Sequence, residues 1–238
     1  MPKWLTGKVI DIVDDTSTVK RLWIEVDDVE QFAFKAGQFI TLDLPIHEKR
    51  HKRWRSYSIA NPPKGYNIIE LCVSYFEGGL ASKYLFKVLK VGDAVTFKGP
   101  VGVFCIPDQP PSSLIMVCTG TGVVPFRSMI QDILSRPLQP DLIHLIFGTR
   151  YKENILYLKE FLRLQAAHAS FKYTVVLSRE ENWEGHTGHV HQIYEKEYQF
   201  SPATNYYLCG WQVMVDEAQT RLAAMGVPKS NIKVELYG

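Results

Sequence analysis

Gly120-Thr121-Gly122-Val123-Val124-Pro125-Phe126 directly follows the apolar run Leu114-Ile115-Met116-Val117-Cys118-Thr119. A buried parallel strand that ends in a glycine turn and restarts as a helix points backbone N–H groups and a positive dipole end at an anion, typically a dinucleotide pyrophosphate. Pro125 suits the first helical turn, where its missing N–H costs nothing. The third glycine of G-x-G-x-x-G is absent, so by itself the stretch also reads as an ordinary strand-to-helix turn. A second glycine turn, Gly78-Gly79-Leu80-Ala81-Ser82, opens another helical stretch. Its N–H groups and the Ser82 hydroxyl suit either a phosphate or a plain helix N-cap.

Two anion-binding turns, one in each half of the chain, match the needs of a flavin dinucleotide together with a nicotinamide dinucleotide. A flavin also needs a cation for its pyrophosphate and hydroxyls along its ring, and Arg55, Tyr57 and Ser58 supply these from one strand end. Alternation sets Arg55 and Tyr57 on one face and Ser58 on the other, so the strand must bend for all three to reach one ligand. Ser178-Arg179, after the apolar run ending at Leu177, offers a hydroxyl and a guanidinium suited to a 2′-phosphate. Cys209 ends an apolar run and precedes Gly210; alone it is either a packed hydrophobe or a residue at the ligand-binding end of a parallel strand.

In order and spacing, Arg55-Ser56-Tyr57-Ser58-Ile59-Ala60, the two glycine turns, Phe147-Gly148-Thr149-Arg150, Tyr207-Leu208-Cys209-Gly210 and Val234-Glu235-Leu236-Tyr237-Gly238 resemble the ferredoxin–NADP reductase superfamily. These flavoenzymes pass electrons between a nicotinamide and a one-electron carrier, and the resemblance covers nearly the whole chain. It implies Arg55 on the FAD phosphates, Tyr57 against the isoalloxazine, Ser58 near flavin N5 and Cys209 beside the nicotinamide C4, orienting it for hydride transfer. Glu235 would lie near the ring and Tyr237 would cover it as a movable lid, so that Ser58, Cys209, Glu235 and Tyr237 form the implied catalytic set. Gly238 after the tyrosine departs from the plant-type ending, and a frayed edge strand is the alternative there. The implied cofactor-binding set adds Ser56, Ile59, Val73, Tyr75, Gly79, Leu80, Ala81 and Ser82 in the first half. In the second it takes Gly120, Thr121, Gly122, Pro125, Gly148, Thr149, Arg150, Ser178, Arg179 and Gly210.

Nucleotide choice stays open between two readings. Ser178-Arg179-Glu180 resembles the triplet of NADP-specific members, whereas Trp183-Glu184-Gly185-His186-Thr187-Gly188-His189-Val190 resembles a stretch of NADH-using oxygenase reductases. The expectation is NADPH, with NADH possible. The resemblance also implies a separate electron carrier, a ferredoxin or flavodoxin. The run His47-Glu48-Lys49-Arg50-His51-Lys52-Arg53-Trp54-Arg55 is either a solvated loop or a patch that steers such an acidic carrier. Two other functions remain: an NADH-dependent flavin reductase or oxygenase reductase component, and a flavin-binding electron-transfer or redox-sensing subunit without turnover of its own.

The elements that position these residues change texture along the chain. Short β-like runs at 8–13, 19–26, 39–44, 56–60, 68–74 and 94–99, bounded by Gly, Pro and Asp, predict an antiparallel Greek-key β-barrel, interrupted by a helix near 81–85. Strands at 114–119, 142–147, 173–177, 206–209 and 233–236, with helices at 126–134, 158–167 and 213–225, predict a Rossmann-like parallel sheet with flanking helices. The proline-rich stretch at 107–113 reads as a linker between an FAD domain, 1–106, and an NAD(P) domain, 114–238.

The 238 residues, 46% of them hydrophobic, suffice for two cores. A net charge of +2 makes no global basic field, so nucleic acid is not an expected partner. Nothing approaches a membrane span or a signal peptide, and a cytoplasmic monomer is expected. The four cysteines are scattered without a C-x-x-C pair, which excludes a plant-type iron–sulfur site within the chain. His186, His189 and His191 lack ligand-like partners, so no metal is expected and the stretch reads as a polar loop.

Overall fold

The computed structural model describes residues 3–237; Met1, Pro2 and Gly238, the last residue of the expected terminal motif, lie outside the described residues. Contacts divide the chain into two units. One runs to Ile106 and takes in Arg127–Asp132; the other holds Pro107–Phe126 and the chain from Ile133 on.

The first unit is built on β1 (Trp4–Thr16), β2 (Val19–Val26), β3 (Phe39–Asp43), β4 (Trp54–Ser58), β5 (Ile68–Ser74) and β6 (Ala94–Val101). Their order is β4-β3-β6-β1-β2-β5, with every pairing antiparallel. The two edge strands meet beyond the end of β4, where Ile59 bridges Leu71 and the Ala60 N–H donates to the Glu70 carbonyl at 2.8 Å. That contact draws the two ends of the sheet together at one point and gives it a barrel-like form. Along β2, buried Leu22, Ile24 and Val26 alternate with more exposed residues, and they meet Ile40, Leu42, Leu71 and Phe97 in one core. Helix α1 (Leu80–Lys87) adds Ala81 and Leu85 to it.

β1 is 13 residues long, more than twice the run its apolar pattern marks. Its pairing with β2 is irregular between Val9 and Asp11 and again between Asp14 and Thr16. Bulges of this kind break the period-two alternation that a sequence reading depends on.

The second unit holds β7 (Ser113–Thr119), β8 (Leu142–Thr149), β9 (Phe171–Leu177), β10 (His186–Thr187), β11 (Thr204–Trp211) and β12 (Ile232–Tyr237). The order is β10-β9-β8-β7-β11-β12, all parallel. Helices α2 (Val123–Ile133), α3 (Leu158–Ala167), α4 (His191–Glu197) and α5 (Gln212–Ala224) connect the strands. A strand buried on both faces needs a continuous apolar run, and Leu114–Cys118 is buried at every position. β8 and β9 lie to one side of β7, β11 and β12 to the other. The switch in direction therefore falls between β7 and β11, where open α/β sheets bind ligands beyond their strand ends.

The expected polar loop holds for His189, which is exposed and outside any helix or strand, but not for His191. His186 lies on β10, and His191 opens α4 with its side chain buried, Nδ1 2.9 Å from the Tyr194 hydroxyl. His191 thus serves packing, since burial depresses its pKa and favours the neutral ring. Among the described residues no helix is long and apolar enough to cross a membrane.

Candidate functional site

In the barrel, β4 runs against β3 with Arg55 opposite Leu42, Ser56 opposite Thr41, Tyr57 opposite Ile40 and Ser58 opposite Phe39. Arg55 is exposed, and its Nη1 donates to the carbonyls of Trp54 at 2.7 Å and Lys52 at 3.1 Å, which anchors one end of the guanidinium. The Ser56 hydroxyl lies 3.0 Å from that of Thr41. Ser58 is buried. Burial pushes the Tyr57 phenol up to about 12, with the Arg55 charge opposing it, so the hydroxyl stays protonated and able to donate near neutral pH. Nearby in sequence, Val73 is buried on β5, and Tyr75 meets Phe86 edge-on with ring centroids 5.2 Å apart.

The turn into α1 leaves room at its end. Gly78 has φ +77° with open space where a Cβ would stand, and Gly79 caps the helix without a side-chain hydrogen bond. The Ser82 hydroxyl accepts the Phe76 N–H at 2.9 Å and so shapes the turn. The Leu80, Ala81 and Ser82 N–H groups have no carbonyl one turn earlier within the helix, and they are the donors available at this end.

At the switch point of the second unit, two turns pack backbone to backbone. A Cβ on Gly122 would stand 2.4 Å from the Cys209 carbonyl oxygen, and one on Gly210, at φ +145°, would stand 2.6 Å from Thr119 Oγ1. Only glycine allows that approach. Gly120, at φ +54°, faces open space, and Pro125 sits in the first turn of α2. In register, Cys209 lies between Cys118 on β7 and Glu235 on β12, while Tyr237 pairs with Trp211. Burial drives both thiols well above their ordinary range, and the Glu235 charge pushes Cys209 further the same way. Cys209 is therefore an uncharged thiol, fit to pack against a ligand and unfit as a thiolate nucleophile.

Gly148 and Thr149 end β8, and a Cβ on Gly148 would meet Val190 Cγ1 at 2.7 Å. Just past the sheet the Ser178 N–H donates to the Thr149 carbonyl and the Arg179 N–H to the Arg150 carbonyl, each at 3.0 Å. These two rungs bring Arg150 and Arg179, both exposed, onto neighbouring chain segments.

One polar cluster has no counterpart in the sequence reading. Arg127 Nη1 donates to Glu70 Oε2 at 2.7 Å and to the Ala60 carbonyl at 3.0 Å, and Ser128 Oγ donates to the Asn61 carbonyl at 2.7 Å. Asn61 in turn accepts the Glu70 N–H on Oδ1 at 2.7 Å. An arginine in the otherwise apolar stretch Val123-Val124-Pro125-Phe126-Arg127 is the signal that could have marked it, because such a charge is buried only with a partner. Among the described residues no cluster of three or more His, Cys, Asp and Glu is placed to hold a metal.

The family models described as Oxidoreductase FAD-binding domain and Oxidoreductase NAD-binding domain match residues 7–106 and 116–220. The chain is 34% identical over 227 residues to Ferredoxin–NADP reductase B of Sorangium cellulosum (strain So ce56), covering 92% of this chain and 91% of that protein. It is 35% identical over 221 residues to the reductase component of phenol 2-monooxygenase of Pseudomonas sp. (strain CF600), but there it spans 91% of itself and only 60% of the relative. Among solved structures, the Amycolatopsis cytochrome P450 reductase matches with a TM-score of 0.88 at 26% identity, over 98% of this chain and 69% of that one. The ferredoxin NADP+ reductase from Neisseria gonorrhoeae with bound FAD and NADP shares the fold, with a TM-score of 0.82 at 23% identity over 99% of both chains. Nearly complete mutual coverage with a ferredoxin–NADP reductase, over FAD- and NAD-binding domains in that order, makes this chain a member of the ferredoxin–NADP reductase family.

Proposed function

We propose that the protein is an FAD-dependent NADPH reductase that passes electrons to a separate acidic carrier protein. The observation that carries the reading is the switch point, where an uncharged Cys209 stands in register beside Glu235 over two glycine turns that admit no side chain. The residues present fit both groups. Gly78 and the first turn of α1 leave open space beside helix N–H donors, which with Arg55 suits a pyrophosphate better than a monophosphate. Gly120 and the start of α2 offer the same for the nicotinamide dinucleotide. In this reading FAD occupies residues 1–106 and NAD(P) residues 114–238, with 107–113 between them.

A bound flavin supplies the exchange between two-electron and one-electron chemistry, and the chain supplies alignment. Tyr57 holds a protonated hydroxyl, Ser58 offers a buried one, and Cys209 gives a neutral surface for the nicotinamide. Tyr237 lies two residues beyond Glu235 on the edge strand β12. Cys209→Ala is expected to slow nucleotide-dependent flavin reduction about tenfold or more, a misalignment effect, with FAD content intact. Single-turnover absorbance checks this, and an unchanged rate returns Cys209 to packing alone.

Arg150 and Arg179 favour NADPH. The identity with the phenol 2-monooxygenase reductase component favours a second reading, an oxygenase reductase component, and the stretch at 183–190 is what would make NADH its nucleotide. Binding of adenosine 2′,5′-bisphosphate against AMP separates the two.

The basic segment is the docking surface in this proposal, but its charges are unequal. Asp43 holds Arg53 Nε at 2.8 Å and Arg50 Nε at 3.4 Å, and Arg50 stacks over Trp4 at 4.9 Å. Lys49 and Lys52 are exposed and have no ion-pair partner among the described residues. Replacing both with Ala is expected to slow reduction of an acidic carrier chiefly at low salt, because such fields fade beyond a Debye length of about 10 Å at 0.1 M. The rate with an uncharged quinone should hold. A carrier rate and salt slope that do not change would make the segment a solvated loop.

A cytoplasmic, monomeric protein completes the reading. No disulfide joins the cysteines among the described residues, which suits a reducing compartment.

A further inference from the structure

β8 and β9 are in register up to Thr149 and Leu177, yet their connection continues past the sheet. After the Ser178-to-Thr149 and Arg179-to-Arg150 rungs comes a third, in which the Lys152 N–H donates to Glu180 Oε2 at 2.9 Å. Lys152 opens a short 3-10 turn, Lys152–Asn154, whose N-cap residue Tyr151 provides no side-chain hydrogen bond of its own. The carboxylate of one loop therefore caps the turn of the other. A carboxylate next to a phosphate site would ordinarily repel the phosphate. It would suit a ribose 2′-hydroxyl instead, which acidic residues of dinucleotide sites accept. Here one carboxylate oxygen is committed to a backbone N–H and ties down both arginine-bearing segments.

We propose that Glu180 is a positioning residue for nucleotide selection: by clamping the Lys152 N–H it fixes Arg150 and Arg179 side by side, so that both guanidiniums address a 2′-phosphate. The inference rests on the NADPH reading above. Without the clamp the two backbone rungs remain but the chain beyond Arg150 loses its tie at Lys152, so more ordering is left to the moment of nucleotide binding, and that entropy cost weakens binding. Alanine at 180 removes the clamp and the negative charge together, whereas glutamine keeps an acceptor for the Lys152 N–H and removes only the charge, so the two are separable by substitution.

Calorimetric titration of the full-length, FAD-loaded protein with adenosine 2′,5′-bisphosphate and with AMP tests this. Glu180→Ala is expected to weaken the bisphosphate about tenfold and to leave AMP within about twofold. Glu180→Gln, whose amide oxygen can accept the same N–H, is expected to restore most of the loss. In steady state the alanine variant should raise KM for NADPH with kcat nearly unchanged. Equal losses for both ligands, a glutamine variant as weak as the alanine one, or tighter bisphosphate binding in Glu180→Ala would each overturn the proposal. Arg179→Ala is titrated in parallel. If it weakens the bisphosphate while Glu180→Ala does not, the inference fails and the NADPH reading stands; if it has no effect, both fall.

Discussion

Arg127→Ala is expected to destabilise the barrel unit by about 3 kcal/mol, near the low end for breaking a buried ion pair. The Glu70 side chain is only 4% exposed, and Arg127 is its closest cation at 2.7 Å. Removing the guanidinium leaves a carboxylate that water cannot reach, and the Ala60 carbonyl loses a donor at 3.0 Å. Arg21 stands 3.6 Å from the other Glu70 oxygen and keeps the cost from rising further. Urea unfolding should show a lower midpoint at unchanged slope. Glu70→Gln in the same background should recover part of the loss, because the stranded charge is gone. Ala60 directly follows Ser58-Ile59, so the variant should also retain less FAD. A loss under about 1 kcal/mol would mean that the pair adds little beyond what solvent supplies.

Arg179→Ala is expected to weaken NADPH binding by roughly ten- to a hundredfold, the worth of about 1.5–3 kcal/mol for a charge-assisted phosphate contact. NADH should bind almost as before, since it lacks the 2′-phosphate that the guanidinium addresses. The Arg179 side chain is exposed, so the difference between wild type and variant should shrink as salt is added. Titration of each nucleotide at low and high ionic strength measures both effects. Equal losses for the two nucleotides would make Arg179 a structural residue of the loop after β9.

The sheet unit was legible because its signals are local. Leu114–Cys118 is an unbroken apolar run, Gly120 and Gly122 punctuate it, and Pro125 marks a helix start, so strand, turn and helix could be read within fifteen residues. The partnership of Cys209 with Glu235 was less visible. Each was singled out by resemblance, and only the parallel register of β11 with β12 makes them neighbours. α4 escaped notice because seven residues are too few to display a helical period, and its buried His191 looks polar on paper. Arg127 and Glu70 are 57 residues apart in sequence, and nothing local to either names the other. The same distance problem hides the clamp between Lys152 and Glu180, 28 residues apart.

The basic segment illustrates a different limit. Counting charges in His47–Arg55 treats each cation alike, whereas Asp43, on the neighbouring strand β3, pairs with two of them and offsets one unit of their charge. Composition describes what a segment carries, and tertiary contact decides which charges still face solvent.

Anaerobic stopped-flow mixing of the purified, FAD-loaded protein with NADPH, and separately with NADH, tests the central claim most directly. The expected result is rapid bleaching of the flavin band by NADPH, slower or weaker bleaching by NADH at equal concentration, and release of FAD, not FMN, when the protein is denatured. A protein that holds FAD yet shows no bleaching with either nucleotide would contradict the account and leave a flavin-binding module without reductase activity.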